Sequence, residues 1–220
     1  MTTNPNCVFC RIVNGTEPAT VRYEDDDVIV FDNVLNWTPV MMLAVPKIHR
    51  TQSELWSDLG PVGRVAAALG RERAPDGFRL VSNFGALAMQ SQSHGHIHIL
   101  DRTEGQLEVV DQRDRSIVDI VSESGKHELS RTDHAVFYDA RPFIPEAPVT
   151  VLSVPTGVER VQLEFWEDVR SFGADVVDAG WEFSDKGFRL LSNFPGEVAL
   201  PGGEKAHVHM LGGTFLGEYA

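Results

Sequence analysis

Three histidines alternate with single small or apolar residues near the middle of the chain, at His94, His96 and His98. Alternation is the period of a β-strand, so the pattern predicts three imidazoles on one face of one strand. Same-face residues on a strand lie roughly 6.5–7 Å apart, which allows the rings to converge on a phosphate or to bind a metal ion. Such a cluster favours a functional site over a solvated strand face. A zinc site with an open position for water is the alternative.

The elements that must position these histidines occur twice in the chain. Four blocks recur in the same order at a nearly constant offset: Val30–Phe31 as Val136–Phe137, Pro39–Pro46 as Pro148–Pro155, Gly77–Phe84 as Gly187–Phe194, and His96–Leu100 as His207–Leu211. Self-similarity of this kind is the signature of a duplicated structural unit. The sequence therefore predicts two copies of one domain, over residues 1–105 and 106–220.

Each copy has the pattern of an α+β domain. The strand candidates of the first copy are Val21–Glu24, Val28–Phe31, Val40–Val45, Phe78–Ser82 and Gly95–Leu100, and Ile117–Val121 is a candidate first strand for the second copy. Between the third and fourth strands, apolar residues recur at helical spacing from Leu55 to Leu69, and from Val158 to Val176 in the second copy. We expect antiparallel sheets with helices on one face, and two domains packed as an intrachain pseudo-dimer.

Composition restricts the partners. The chain has 220 residues, a hydrophobic fraction of 42%, a formal net charge of −13 and two cysteines. The charge argues against nucleic-acid or membrane binding through a general positive field, so an anionic ligand would need local donors. Without a disulfide framework, a signal-peptide core or a long apolar run, a cytoplasmic location is expected. Formation of a homo-oligomer is left open.

Short motifs surround the triad: Cys7 and Cys10, Tyr23–Asp25, Val45–His49, Asn83, Gln90–Ser91 and His94–Leu100. Together they resemble the histidine triad (HIT) family of nucleotide hydrolases and transferases, over nearly all of residues 6–104. The second copy looks like a degenerate HIT domain. The tandem arrangement is similar to the architecture of galactose-1-phosphate uridylyltransferase.

The resemblance implies a catalytic role for the triad. His96 would attack the α-phosphorus of a nucleoside phosphoramidate or dinucleoside polyphosphate and form a nucleotidyl-histidine. His94, His98 and Ser91 complete the expected catalytic group, and Asn83 and the loop at Gln90 would help to hold the phosphate.

The resemblance also implies a nucleoside site on the second strand. Phe31 would pack against the base. Family members usually bind the ribose with the Asp of a Phe-x-Asp segment, whereas this chain has Asn33 at that position and Asp32 one residue earlier. Since a shift of one residue reverses the face of a strand, Asp32 is expected to point away.

A zinc site is implied by Cys7, Cys10, His49 and His94, which match the four zinc ligands of several relatives. The metal would be structural and would leave His96 and His98 for chemistry. Free thiols or a redox pair are the alternative for the two cysteines.

The second copy lacks much of this machinery. Lys205 and Val158 stand where the first copy has His94 and His49, and Pro201–Gly202 replaces Gln90–Ser91. Four residues of a second site remain, namely Asp139, Asn193, His207 and His209. The second half is therefore interpreted as a scaffold or as a second site with altered chemistry. For the whole protein, a catalytically impaired regulatory nucleotide-binding protein and a zinc-stabilised interaction scaffold are the alternatives to an enzyme.

Overall fold

The computed structural model describes residues 4–101, 125–143, 147–157, 162–166, 169–195 and 205–217. Five strands belong to the first half: β1 Val21–Glu24, β2 Val28–Asp32, β3 Met41–Pro46, β4 Gly77–Gly85 and β5 Ile97–Asp101. Five belong to the second half: β6 Glu128–Arg131, β7 Ala135–Asp139, β8 Val149–Pro155, β9 Gly187–Pro195 and β10 Val208–Gly212. Within the described residues these strands form one antiparallel sheet, in the order β1-β2-β3-β5-β4-β9-β10-β8-β7-β6.

The centre of the sheet joins the two halves through β4 and β9. The register is centred on Val81 and Leu191, and it runs from Gly77 opposite Pro195 to Gly85 opposite Gly187. Two phenylalanine pairs stack across this seam at centroid distances of 4.3 Å and 4.5 Å, namely Phe78–Phe194 and Phe84–Phe188. Each pair joins the same two repeat positions in opposite order, so a local two-fold relates the halves at the seam.

Five helices accompany the sheet in the described residues: α1 Val8–Val13, α2 Gln52–Ser57, α3 Gly60–Arg73, α4 Gln162–Trp166 and α5 Arg170–Phe183. Helices α2 to α5 cover one face with a hydrophobic core that both halves share. In that core Trp56 of α2 lies edge-on to Trp166 of α4, at 5.8 Å. None of these helices is both long and apolar enough to cross a bilayer.

The opposite face of the sheet carries α1 in the first half. Phe9 and Cys10 of this helix pack against the alternate residues of β2 and β3, including Phe31 and Leu43. The triad histidines lie on this face, because Ile97 and Ile99 of β5 point into the shared core on the other side. The sheet thus separates a structural core from the face that carries the candidate chemistry.

The α+β fold class predicted from the sequence is confirmed, and so are the strand candidates of the first half, with ends shifted by a few residues. The predicted helical stretch is divided into α2 and α3 at Asp58–Leu59. The short α1 was not predicted, and it lies on the face opposite the other helices. The candidate strand Ile117–Val121 and the domain boundary at residues 105/106 lie outside the described residues.

Candidate active site and metal centre

The three triad histidines share one face, although only His98 belongs to a regular strand. His94 and His96 precede β5, which begins at Ile97. The ring of Phe9 in α1 contacts His94 and His96 at centroid distances of 6.0 Å and 5.2 Å. The rings of His96 and His98 lie 4.9 Å apart. The structure therefore brings the histidines together as predicted, but partly through an irregular segment.

The backbone of His96 is held by Gln52, the first residue of α2. The Gln52 Nε2 donates to the His96 carbonyl oxygen at 2.8 Å, and the His96 N–H donates to Gln52 Oε1 at 2.9 Å. Helix α2 begins with a capping box in which Thr51 accepts from the Glu54 N–H, and the Glu54 carboxylate accepts from the Thr51 N–H. This cap fixes the first turn of α2, and Gln52 with it. Sequence reasoning missed Gln52, although the Thr-x-x-Glu signature marks the helix start.

The protonation state of His96 follows from its contacts. Its Nδ1 lies 2.8 Å from the carbonyl oxygen of His94. A carbonyl oxygen only accepts, so Nδ1 carries the hydrogen and Nε2 of the neutral ring carries the lone pair. Burial lowers the pKa of His96, against a smaller opposing effect of the His94 carbonyl. The ring is therefore neutral near pH 7, with one nucleophilic nitrogen.

His98 is also neutral. Its pKa lies well below the ordinary value, first because the ring is buried and then because of His96 and Arg189 nearby. A neutral imidazole has one N–H, so His98 suits the predicted role of donating to a phosphate oxygen.

Asn83 of β4 contacts the second half of the chain. It lies opposite Arg189 of β9 in the register, and the Arg189 Nε donates to Asn83 Oδ1 at 2.8 Å. The mirrored contact also exists, because the Arg79 Nε donates to Asn193 Oδ1 at 2.8 Å. Neither arginine was singled out from the sequence, although both lie in the repeated Gly-Phe-Arg block.

The loop before the triad is closed by Gln90. The Gly85 N–H donates to its Oε1 at 2.9 Å, and its Nε2 donates to the carbonyl oxygen of Gln92 at 3.0 Å. Met89 adopts a left-handed backbone conformation with φ of 57°, which residues other than glycine rarely adopt. Ser91 is exposed at the end of this turn. Gln90 therefore shapes the loop that presents Ser91.

The residues expected to bind the nucleoside lie on two faces. Phe31 points to the triad face, where its ring meets Phe9 at 5.6 Å. Asp32 points to the other face, and its carboxylate binds Arg22 at 2.6 Å. Asn33 follows the end of β2, and its Oδ1 accepts from the Leu35 N–H. The structure thus brings Phe31, but not Asp32, to the triad face.

Two cysteines and two histidines form a compact donor set beside the triad. Cys7 Sγ and Cys10 Sγ lie 3.5 Å and 3.6 Å from His94 Nδ1, and Cys10 Sγ lies 3.2 Å from His49 Nδ1. All four donor atoms lie within 4.8 Å of one another. Tetrahedral zinc with ordinary bond lengths separates sulfur and nitrogen ligands by about 3.5 Å. The donor types and their spacing therefore fit zinc.

The second contact of His94 supports this assignment. Its Nε2 donates to the carbonyl oxygen of Pro46 at 2.9 Å, which directs the Nδ1 lone pair toward the cysteines. Burial lowers the pKa of His94 to about 4, so the ring is neutral, as a metal ligand must be. A metal here would join α1 to the residues before β5.

The second half repeats the arrangement of His96 around His207. The His207 Nδ1 donates to the Lys205 carbonyl oxygen at 2.7 Å. The Gln162 Nε2 donates to the His207 carbonyl oxygen and the His207 N–H donates to Gln162 Oε1, both at 2.8 Å. The rings of His207 and His209 lie 4.8 Å apart. The frame of the histidine site is therefore preserved in a half that lacks the cysteines.

Asp139 does not join this second pair of histidines. Ala135 pairs with Pro155 as Val28 pairs with Pro46, so Asp139 occupies the position of Asp32. Its carboxylate accepts from Arg141 on the face opposite His207 and His209. The alignment of Val30–Phe31 with Val136–Phe137 is wrong by one residue, because the connection that follows β7 is longer than the connection that follows β2, and the register matches Phe31 with Tyr138.

The first half of the chain is similar in sequence to known proteins. A family model described as "Scavenger mRNA decapping enzyme C-term binding" matches residues 6–111. An uncharacterised HIT-like protein of Methanocaldococcus jannaschii is 36% identical over 110 residues, which are 47% of this chain and 84% of that protein. A 14 kDa zinc-binding protein of Brassica juncea is 32% identical over 101 residues, 42% of this chain and 89% of that protein.

One solved structure matches the chain almost from end to end. A galt-like protein from Arabidopsis thaliana covers 99% of this chain and 85% of its own length, with a TM-score of 0.59 and 17% identity. This likeness concerns the fold alone, and it fits a duplicated arrangement.

Proposed function

Because this chain belongs to the histidine triad (HIT) family of nucleotide hydrolases, we propose that its first half transfers nucleotidyl groups through His96. The substrates are nucleoside phosphoramidates or dinucleoside polyphosphates, and the acceptor is water or another nucleophile. The observation that supports this proposal is the fixed tautomer of His96, with its Nδ1–H on the His94 carbonyl and its lone pair on Nε2.

The reaction proceeds in two displacements. The Nε2 lone pair attacks the α-phosphorus, and the bond from phosphorus to the leaving nitrogen or oxygen breaks with its electron pair on the leaving group, which then takes up a proton. The imidazole of His96 becomes cationic, and the hydrogen bond from Nδ1–H to the His94 carbonyl stabilises that charge. Water then attacks the same phosphorus, and loses a proton as the P–N bond breaks, which releases the nucleoside monophosphate and restores neutral His96.

Nearby side chains supply the donors for the phosphate. His98 donates its single N–H, Asn83 its amide group and Ser91 its hydroxyl, the last on the leaving-group side. Phe31 and Asn33 lie toward the nucleoside. Because the structure turns Asp32 to the other face, we assign the ribose contact to Asn33 alone.

Zinc, bound by Cys7, Cys10, His49 and His94, has a structural role in this proposal. A site with four protein ligands is closed and offers no position for substrate. Its effect on the reaction is indirect, because it fixes His94, whose carbonyl oxygen accepts the hydrogen bond of His96. We place the protein in the cytoplasm, where thiols persist as metal ligands.

The test compares equivalent histidines of the two halves. The wild type and the His96→Asn and His207→Asn variants are incubated with adenosine phosphoramidate and with diadenosine tetraphosphate, and release of AMP is measured by chromatography. His96→Asn should bind AMP but lose turnover by about 10³-fold or more, since it removes the nucleophile. His207→Asn should retain most of the wild-type turnover. Undiminished turnover by the His96→Asn variant would refute the assignment of His96 as the nucleophile.

A further inference from the structure

We propose that Arg189 of the second half is a positioning residue for the histidine site of the first half, where it turns the amide of Asn83 toward the substrate phosphate. The inference rests on the proposed function, and it assigns the degenerate half a part in the reaction of the first half. It arises from a contact between residues that are 106 positions apart in the chain.

The side chain of Arg189 is buried and held at two points. It is 2% exposed, and it lies directly opposite Asn83 in the paired strands β4 and β9. Its Nε donates to Asn83 Oδ1 at 2.8 Å, and its Nη2 donates to the carbonyl oxygen of Gly217 at 2.9 Å. Bonds from two different nitrogens fix the plane of a guanidinium group, so the direction of the bond to Asn83 is fixed as well.

The chemistry of the guanidinium group decides which end of Asn83 faces it. An arginine has donors and no acceptor, so Asn83 must present its carbonyl oxygen to Arg189 and direct its NH₂ group away. The two ends of an asparagine amide have nearly the same shape, and a half-turn costs little where no partner discriminates between them. A turned amide would present its oxygen to the phosphate and repel it. The contact from the second half therefore makes Asn83 a donor.

Arg189 also lies beside the triad. Its guanidinium is close enough to His98 to contribute, after burial and His96, to the lowered pKa of that ring. The asparagine that Arg189 orients is therefore next to the histidine that is proposed to donate to the phosphate.

The seam also contains a matched control. Arg79 of β4 makes the mirrored contact, from its Nε to Asn193 Oδ1 at 2.8 Å, across the same pair of strands. A variant of Arg79 loses the same kind of hydrogen bond at the same interface, but the asparagine that it releases lies in the second half. Comparison of the two arginines separates an effect on the first histidine site from general weakening of the seam.

The experiment is a double-mutant cycle on the full-length chain. The variants Asn83→Ala, Arg189→Ala and the double variant are assayed with diadenosine tetraphosphate, with Arg189→Lys and Arg79→Ala as comparisons. We expect Arg189→Ala to lower kcat by roughly 10–100-fold, with a smaller loss in Arg79→Ala. This is less than the roughly 10²–10³-fold loss of a transition-state donor that is removed outright, because the Asn83 amide remains and loses only its fixed orientation. The double variant should lie within about 3-fold of Asn83→Ala, because Arg189 acts through Asn83. Arg189→Lys should not restore kcat, since an ammonium lacks the fixed Nε geometry.

Two results would overturn the inference. One is a loss in Arg189→Ala no larger than in Arg79→Ala at equal melting temperature. The other is a double variant whose loss of kcat equals the product of the losses in Asn83→Ala and Arg189→Ala. That result would indicate that Arg189 acts independently of Asn83.

AMP binding, measured by calorimetry, keeps this inference distinct from the proposed function. If the wild type binds AMP but releases none from substrate, the proposed function fails. In that case Arg189→Ala should still weaken AMP binding as much as Asn83→Ala does. Equal affinity of Arg189→Ala and the wild type contradicts the inference, and so does a wild type that does not bind AMP.

Discussion

Gln52 satisfies both backbone groups of His96, with its Nε2 2.8 Å from the carbonyl oxygen and its Oε1 2.9 Å from the amide nitrogen. The side chain is 2% exposed, so no water can replace these bonds. This contact joins the first turn of α2 to the segment that carries the candidate nucleophile. Gln162 and His207 repeat the relationship in the second half.

Replacement of Gln52 by leucine should therefore affect both stability and activity. The buried His96 N–H loses its partner, and the His96 carbonyl oxygen keeps the long contact with the Ser82 hydroxyl at 3.4 Å. We expect a cost of about 2 kcal/mol in the free energy of unfolding. Because His96 is then free to move, we expect kcat to fall by at least about 10-fold. The change in stability is measured by urea unfolding, and AMP release reports the activity.

The matched variant is Gln162→Leu, which removes the same bonds in the second half. It should lose a similar amount of stability and much less activity. If the two variants lose activity equally, the hydrogen bonds from Gln52 to the backbone of His96 stabilise the fold as a whole and do not position the first histidine site in particular.

Contacts close in the sequence could be predicted, whereas contacts between distant residues could not. The triad and the Cys-x-x-Cys pair are local patterns, and the repeated blocks revealed the duplication and most strands. By contrast, Gln52 and Arg189 meet His96 and Asn83 across 44 and 106 positions, and no local pattern indicates such a pairing. Their roles depend on register, which only the assembled sheet defines.

Two other differences between the sequence-based predictions and the structure have physical causes. Helix α1 has six residues, too few for a clear periodic pattern, and its packing on the sheet defines it. Phe137, Tyr138 and Asp139 form a Phe-x-Asp segment. The strand register nevertheless places Asp139 at the position of Asp32, one residue before the position of Asn33. A pattern of alternating faces is sensitive to a shift of a single residue.

From the four candidate ligands we expect one zinc ion per chain. Elemental analysis of the purified protein should give this stoichiometry, and Cys10→Ser should reduce it. Since the four ligands join α1 to His49 and His94, loss of the metal should lower the melting temperature. A loss of about 3 kcal/mol corresponds to roughly 6–12 °C for a chain of this size.

Chelator treatment of the wild type should reproduce the effect of Cys10→Ser, and added zinc should reverse it. Protein that contains no zinc and melts at the same temperature with and without chelator would contradict the assignment. Cobalt substitution gives an independent readout, because a tetrahedral site with two thiolates has strong visible absorption.

Gly95, between His94 and His96, is expected to tolerate no side chain. A Cβ atom there would lie 2.7 Å from the carbonyl oxygen of Thr51 and 2.8 Å from the Cβ of Leu55, both in or next to α2. Gly95→Ala should push the start of α2, and Gln52 with it, away from His96. We expect a loss of about 1–3 kcal/mol of stability and reduced AMP release.

Gly60→Ala is the control for this change, because a Cβ at Gly60, in α3, has no atom within 4 Å. It should leave stability unchanged or raise it, since alanine favours the helix. A Gly95→Ala variant as stable and active as Gly60→Ala would show that α2 does not position the triad.

The two halves should unfold together. Helices α2 to α5 share one core, and α5 approaches α2 so closely that a Cβ on Gly173 would clash with the Trp56 carbonyl oxygen. We therefore expect one calorimetric transition whose van't Hoff and calorimetric enthalpies agree. Gly173→Ala should lower its midpoint by several degrees while it remains single, because the strain acts on both halves. Two separate transitions, of which only one responds to Gly173→Ala, would mean that the halves are stable independently and that the second half is not required to hold the first.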